Sequence, residues 1–166
     1  MNGHLEIVRR DAQTGEVLNT WSKKNLITFF GPDAVVRLLA PNVALGVNVQ
    51  QENQIKSMRF GTDNTTPTRA DTDLTAEAVV ASDPVRIQLF DANRLVGAGN
   101  VEFVATLDSA TGNGVTYREA ALFTRGDDDD PLATNGAQPF ARQVFPDQEK
   151  TAAVELEFRW RITLSV

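Results

Sequence analysis

From Val154 to the last residue, apolar and polar side chains alternate without an error. Val154, Leu156, Phe158, Trp160, Ile162, Leu164 and Val166 are interleaved with Glu155, Glu157, Arg159, Arg161, Thr163 and Ser165. Successive side chains of a strand point to opposite faces, so this period of two puts every large apolar group on one side and every charge on the other. The segment reads as a long strand with one side in a core and one side in water.

The same pattern recurs upstream. Val101, Phe103, Ala105 and Leu107 form a second inward set with Glu102 and Thr106 facing out, and Val85, Ile87 and Leu89 alternate with Arg86 and Gln88. Leu5 to Arg9 and Glu16 to Trp21 read as an opening hairpin, because residues 11 to 15 supply Asp and Gly where a short connection needs permissive backbone angles. Tyr117, Glu119, Ala121 and Phe123 alternate with Ala120 and Leu122, the pattern of a strand buried on much of both faces. Asp91 to Arg94, the Gly112-Asn113-Gly114 triplet and the Asp-rich run ending at Pro131 are turn signals between these strands.

One helix stands out near residues 32–39. Pro32 suits a first turn, Val35, Val36, Leu38 and Leu39 make an apolar stripe, and Pro41 stops it. A short helix around Leu74 to Val80 competes with a strand, since Val79 and Val80 suit either. Residues 42–54 and 62–72 read as loops. The expected architecture is a single domain over residues 1–166: mainly β, an antiparallel β-sandwich of jelly-roll type with one short α-helix near residues 32–39.

Composition excludes several chemistries. The chain of 166 residues has no Cys, which removes thiol catalysis, Fe–S clusters, zinc fingers and disulfide scaffolds, and its single His4 cannot build a His-rich metal site. A net charge of -6 argues against nucleic acid as the main partner. The start MNGHLEIVRR lacks the apolar run of a signal peptide, and no stretch reaches the roughly 18 to 20 apolar residues of a membrane span. The expectation is an unprocessed protein with no membrane partner.

The remaining constellations favour structure over chemistry. Asp127 to Asp130 gathers carboxylates, but GDDDDPL does not place ligands at the alternating positions of a calcium loop, so it reads as a solvated loop. Asp71-Thr72-Asp73 reads as turn and capping chemistry. Glu155 and Glu157 share a strand face, where Arg159 and Arg161 are their expected partners. Tyr117-Arg118-Glu119 reads as a buried or interface ion pair within an apolar strand, and His4 as an exposed terminal residue. Gly97-Ala98-Gly99 lacks the third Gly and the strand-to-helix context of a dinucleotide site, and neither a P-loop nor a nucleophile elbow occurs. Trp21 and Trp160 fit strand cores or hairpins better than a ligand platform. No catalytic, cofactor or metal residues are assigned, and no enzyme activity is expected.

Four segments together resemble a family of small virion structural proteins of tailed bacteriophages. They are Lys24-Asn25-Leu26-Ile27-Thr28 with Gly31 and the following helix; Ile55 to Gly61 running into TDNTTPTRADTDLTAEA; YREAALFT at 117–124; and FARQVFPDQEK, whose F-P-x-x-x-K-T turn leads into the long final strand. The resemblance implies a β-sandwich that builds part of a virus particle, assembled in the host cytoplasm, with no cofactor. Because the chain is nearly all one module, the implied role is a capsid decoration or cement protein. Its partners would be the major capsid protein or other virion proteins, and it would act as a homo-oligomer. A tail, baseplate or fibre-attachment component is the alternative, and a glycan-binding β-sandwich a third. The amino-terminal hairpin and residues 42–54 and 61–73 are the candidate contact regions.

Overall fold

A computed structural model describes residues 1–39, 54–89, 94–97, 99–124 and 137–164. In chain order the elements are β1 (Asn2–Asp11), β2 (Val17–Ile27), α1 (Phe30–Leu39), β3 (Ile55–Gly61), β4 (Val79–Val80), β5 (Asp83–Pro84), β6 (Arg86–Gln88), β7 (Arg94–Gly97), β8 (Asn100–Leu107), β9 (Val115–Thr124), β10 (Pro139–Lys150) and β11 (Val154–Thr163). Nine strands form one sheet in the order β6-β3-β9-β10-β2-β1-β11-β8-β7, and β4 and β5 make a small hairpin of their own. The described pairings are antiparallel.

Strand β2 is the hinge of this sheet. Its first part, Val17 to Asn25, pairs with β1, and only Leu26 and Ile27 pair with β10. The sheet curls there, so that the half carrying β1, β11 and β8 faces the half carrying β3, β9 and β10. Phe158 of β11 meets Phe60 of β3 at 4.7 Å and Phe145 of β10 at 5.8 Å between ring centroids. The result is a nearly closed, barrel-like antiparallel sandwich, as the alternation predicts.

The inward residues named from the sequence lie in or against this core, except Leu164, which is exposed just past the end of β11, and Val166, which lies outside the described residues. Leu156, Phe158, Trp160 and Ile162 pack with Phe103, Ala105 and Leu107 across the β11–β8 ladder and with Leu5 and Ile7 across the β11–β1 ladder. The strand at 115–124 is buried on both faces from Glu119 onward: Ala120 and Leu122 point into the main core, while Ala121 and Phe123 join a separate cluster with Leu74 and Ala137. The opening hairpin turns on Asp11, whose Oδ1 accepts hydrogen bonds from the backbone N–H groups of Gln13 (2.9 Å) and Thr14 (2.8 Å). That is the Asx-type chemistry expected of the turn.

Two expectations are corrected. Residues 74–80 hold no helix: they run extended, with a bridge from Glu77 to Gly61 and then β4. The F-P-x-x-x-K stretch is not a turn but the second half of β10, where the pairing with β9 jumps between Val144 and Gln148; the chain reverses only at residues 151–153. A bulge explains how Pro146 sits inside a long strand, since the ladder does not ask it for an N–H. The helix starts at Phe30, slightly earlier than Pro32 suggests, with Asp33 in the first turn, where the helix dipole favours a carboxylate. Gly31 lies against β10: a methyl there would fall 2.5 Å from Ile27 Cγ2 and 2.9 Å from the Phe140 carbonyl.

Candidate functional site

Between β3 and β4 the chain crosses the outer face of β9 and β10 as a strap, residues 62–78, and an ion cluster clasps it there. Glu119 of β9 is 0% exposed and Arg142 of β10 is 2% exposed. The Arg142 guanidinium donates to Glu119 Oε2 from Nε (2.8 Å), to Asp71 Oδ2 from Nη1 (2.7 Å), and to the Thr75 hydroxyl (2.7 Å) and Thr65 carbonyl (3.2 Å) from Nη2, which also lies 2.7 Å from Glu119 Oε2 as an ion-pair contact. Glu119 also accepts from the backbone N–H groups of Ala76 (2.9 Å) and Thr75 (3.3 Å). A buried carboxylate beside a buried guanidinium is tolerable only when both are fully hydrogen-bonded. Here the strap supplies the missing partners.

The electrostatics follow from that geometry. Burial alone would lower the pKa of Arg142, but Asp71 and Glu119 outweigh it and raise it above its ordinary value. Partial burial would raise the Asp71 carboxyl, but the Thr68 hydroxyl and Arg142 outweigh that and hold it below the usual carboxylate range. Gly61, where the strap leaves β3, has no room for a side chain: a methyl would overlap the Glu119 carboxylate and lie 2.5 Å from the Ala76 carbonyl. Further along, Leu74 packs on Ala121 and Phe123, the Arg59 guanidinium lies 4.1 Å above the Phe123 ring, and Arg86 holds Glu77 through two 2.6 Å hydrogen bonds.

The structure separates the residues that the sequence grouped. In Tyr117-Arg118-Glu119, Glu119 joins the clasp and Arg118 instead reaches the exposed Asp147 at 2.8 Å. Tyr117 is buried, donates its hydroxyl to the Gly112 carbonyl (2.8 Å), and burial pushes its pKa up to about 12. Asp71 belongs to the clasp, whereas Asp73 accepts from the backbone of Leu74. Glu157 pairs with Arg159 at 2.6 Å and Arg10 at 3.8 Å, while Arg161 turns to Glu102 at 2.8 Å. His4 is exposed, opposite Arg161 and Lys24 in the neighbouring strands. Trp160 is in the core and Trp21 is partly buried against Phe145. Gly97 and Gly99 lie at the β7–β8 connection. Asp127 to Asp130, Ala98 and nearly all of the 42–54 loop lie outside the described residues. Among the described residues no three His, Asp or Glu side chains are grouped to hold a metal ion, and no helix is long and apolar enough to cross a membrane.

Sequence reasoning missed Arg142, Arg59 and Lys150 as buried cations. In FARQV a cation falls at an apolar position of the period of two, between Phe140 and Val144, and that was an available signal for Arg142; Arg59 lies opposite the Met58–Phe60 face and offered none. Lys150 donates to Asn113 Oδ1 (2.6 Å) and the Thr151 carbonyl (2.9 Å), tying the 108–114 turn to the end of β10.

The second surface is the outer strand of the hairpin. Val17 and Leu18 are 49% and 50% exposed, and Lys23 and Lys24 are exposed beyond them. Beside Lys24 a cavity of about 240 Å³ opens between the end of β2 and the strap, lined in part by Asn25, Leu26 and Arg69. Compared with known proteins, the chain matches no family model, and no curated protein or solved structure resembles it significantly.

Proposed function

We propose that this protein is a non-enzymatic structural component of a tailed-bacteriophage particle, a decoration or cement protein that binds the outer surface of the capsid and bridges adjacent shell subunits. Binding only to the assembled lattice would stabilise it by mass action. The partners in this reading are the major capsid protein and further copies of this chain.

One observation carries the reading. Three of the four segments that resemble phage virion proteins meet in one unit: Gly61, Asp71 and Thr75 from the second segment, Glu119 from YREAALFT and Arg142 from FARQVF make the strap clasp. Residues shared with such a family would then be those that lock a loop onto a sheet. That is a requirement of a scaffold and not of an active site. The same surface disfavours glycan recognition by stacking, because Phe29 is the one aromatic among the exposed large apolar residues described, and the Arg69 guanidinium covers it at 4.9 Å.

The test is the protein composition of purified particles. Hundreds of copies per particle, in fixed ratio to the major shell protein, are the expected result. A few dozen copies that co-purify with tails would overturn the capsid role and assign the module to the tail or baseplate.

A further inference from the structure

Strand β2 is paired on one side only over most of its length. Its ladder with β1 runs from Val17 to Asn25, and β10 joins its other side only at Leu26 and Ile27. Among the described residues, the opposite edge of 17–25 has no partner. In an antiparallel ladder alternate residues direct both N–H and C=O away from the neighbour, so this edge holds out a row of unpaired backbone groups. Such a row is the template on which an added strand builds. The shift in β10 between Val144 and Gln148, which contains Pro146, lies alongside the stretch where the two strands part. On the inner side the Trp21 and Phe145 rings, 5.9 Å apart, still fill the seam.

The charges on the edge select the occupant. Lys23 and Lys24 point to opposite faces, are exposed, and have no ion-pair partner among the described residues. Arg69, across the cavity from Lys24, extends the positive strip towards the strap. Two copies pairing about a two-fold axis at Ser22 would set Lys24 against Thr20 and bring the two Lys23 side chains to diagonal positions, with no acid to meet them. Like charges in that arrangement repel, which is how edge lysines keep strands of the same protein apart. The same lysines attract a strand that carries carboxylates.

We propose that the free edge of β2, residues 17–25, is a β-augmentation site for an extended acidic segment of another protein. Backbone hydrogen bonds along the edge hold the segment. Adjacent carboxylates on it meet Lys23 on one face and Lys24 on the other, and apolar side chains rest on Val17 on one face and Leu18 on the other. The inference does not depend on the particle reading, because it follows from the pairing and charge of β2 alone.

The test presents the full-length chain with a library of extended peptides of about ten residues, randomised over Asp, Glu, Lys, Ser, Thr, Val and Ile. The expected winners carry two adjacent carboxylates flanked by β-branched residues and bind at least ~10-fold more tightly at low salt than the same peptides with Lys in place of the acids. On binding, hydrogen exchange slows in residues 17–25. The K23E/K24E variant, whose thermal midpoint should match the parent because both side chains are exposed, is expected to reverse the preference to Lys-bearing peptides. No enrichment, equal binding of the same acidic peptides by K23E/K24E, or protection confined to another part of the chain would each overturn the proposal.

Discussion

Replacing Glu119 by Ala removes the centre of the strap clasp. The carboxylate is fully buried, accepts one hydrogen bond from Arg142 Nε with the Nη2 group in ion-pair contact, and accepts two from the strap backbone at Thr75 and Ala76. Deleting one member of a buried ion pair leaves the other charge uncompensated and costs about 3–5 kcal/mol. The orphaned N–H groups fall within that figure, since a loosened strap can turn them to water. For a chain of this size each kcal/mol moves the midpoint by roughly 2–4 °C, so Glu119→Ala should melt on the order of 10 °C below the parent. Urea unfolding followed by circular dichroism gives the free energy, and hydrogen exchange shows where it is lost: amides of residues 62–78 should exchange faster, while those of β1 and β11 should not. Arg118→Ala is the control, because its pair with Asp147 is largely exposed (35% and 64%) and its one bond to the strap is a 3.2 Å contact with the Thr62 carbonyl at the strap's first residue, so its loss should cost about 1 kcal/mol or less. The double variant Glu119→Leu/Arg142→Met removes both charges together and should be less destabilised than the two single losses added, by at least ~2 kcal/mol of coupling. If Glu119→Ala is no less stable than Arg118→Ala, the clasp does not hold the strap.

Three further outcomes follow from the same geometry. Gly61→Ala forces a methyl into Glu119 and the Ala76 carbonyl, so it should destabilise by about 1–3 kcal/mol in urea titration and speed exchange in the strap as Glu119→Ala does. Asp71 has a folded pKa below its ordinary 3.8, so the stability it contributes is fully present above that pH and is lost as the pH falls through its depressed folded value. Asp71→Asn should flatten that acid limb of a stability-versus-pH curve, and an unchanged limb would refute the assignment. Tyr117 is the only tyrosine. Absorbance titration of the phenol should therefore show one transition near 12 in the folded protein, with stability lost as the pH rises from the ordinary 10 through that value, and a transition at 10 would contradict its burial.

The sheet was legible wherever one face is wet. The β11 and β8 segments alternate because their outer faces meet water; the inward residues from Val154 to Ile162 and from Phe103 to Leu107 are in the core and Val101 packs against it, whereas Leu164, past the end of β11, is exposed. Legibility failed where both faces are covered. In β10, Arg142, Gln143 and Lys150 are buried polar residues and Pro146 interrupts the run, so the segment lost both its alternation and its strand signature. The strap failed for a related reason: Leu74 to Val80 carries enough apolar residues for a short helix, yet its conformation is set by Glu119, Arg142 and Arg86 on distant strands. The contacts with Glu119 and Arg142 span 43 and 67 residues in sequence, beyond any local pattern. The ion pair within 117–119 was foreseen as a kind of interaction, but its partner Arg142 was not, because pairing across a ladder depends on a register that the bulge in β10 shifts. The free edge of β2 was equally hidden, since only the topology shows which strand lacks a neighbour.

The central claim, that this chain stabilises an assembled shell, is tested most directly by stripping it from purified particles and adding the purified full-length protein back. The account predicts that stripped shells break at lower temperature or osmotic stress, and that resistance returns as the protein rebinds and saturates at a fixed ratio to the major shell protein. Shells equally resistant with and without the protein, or rebinding confined to tails, would contradict it.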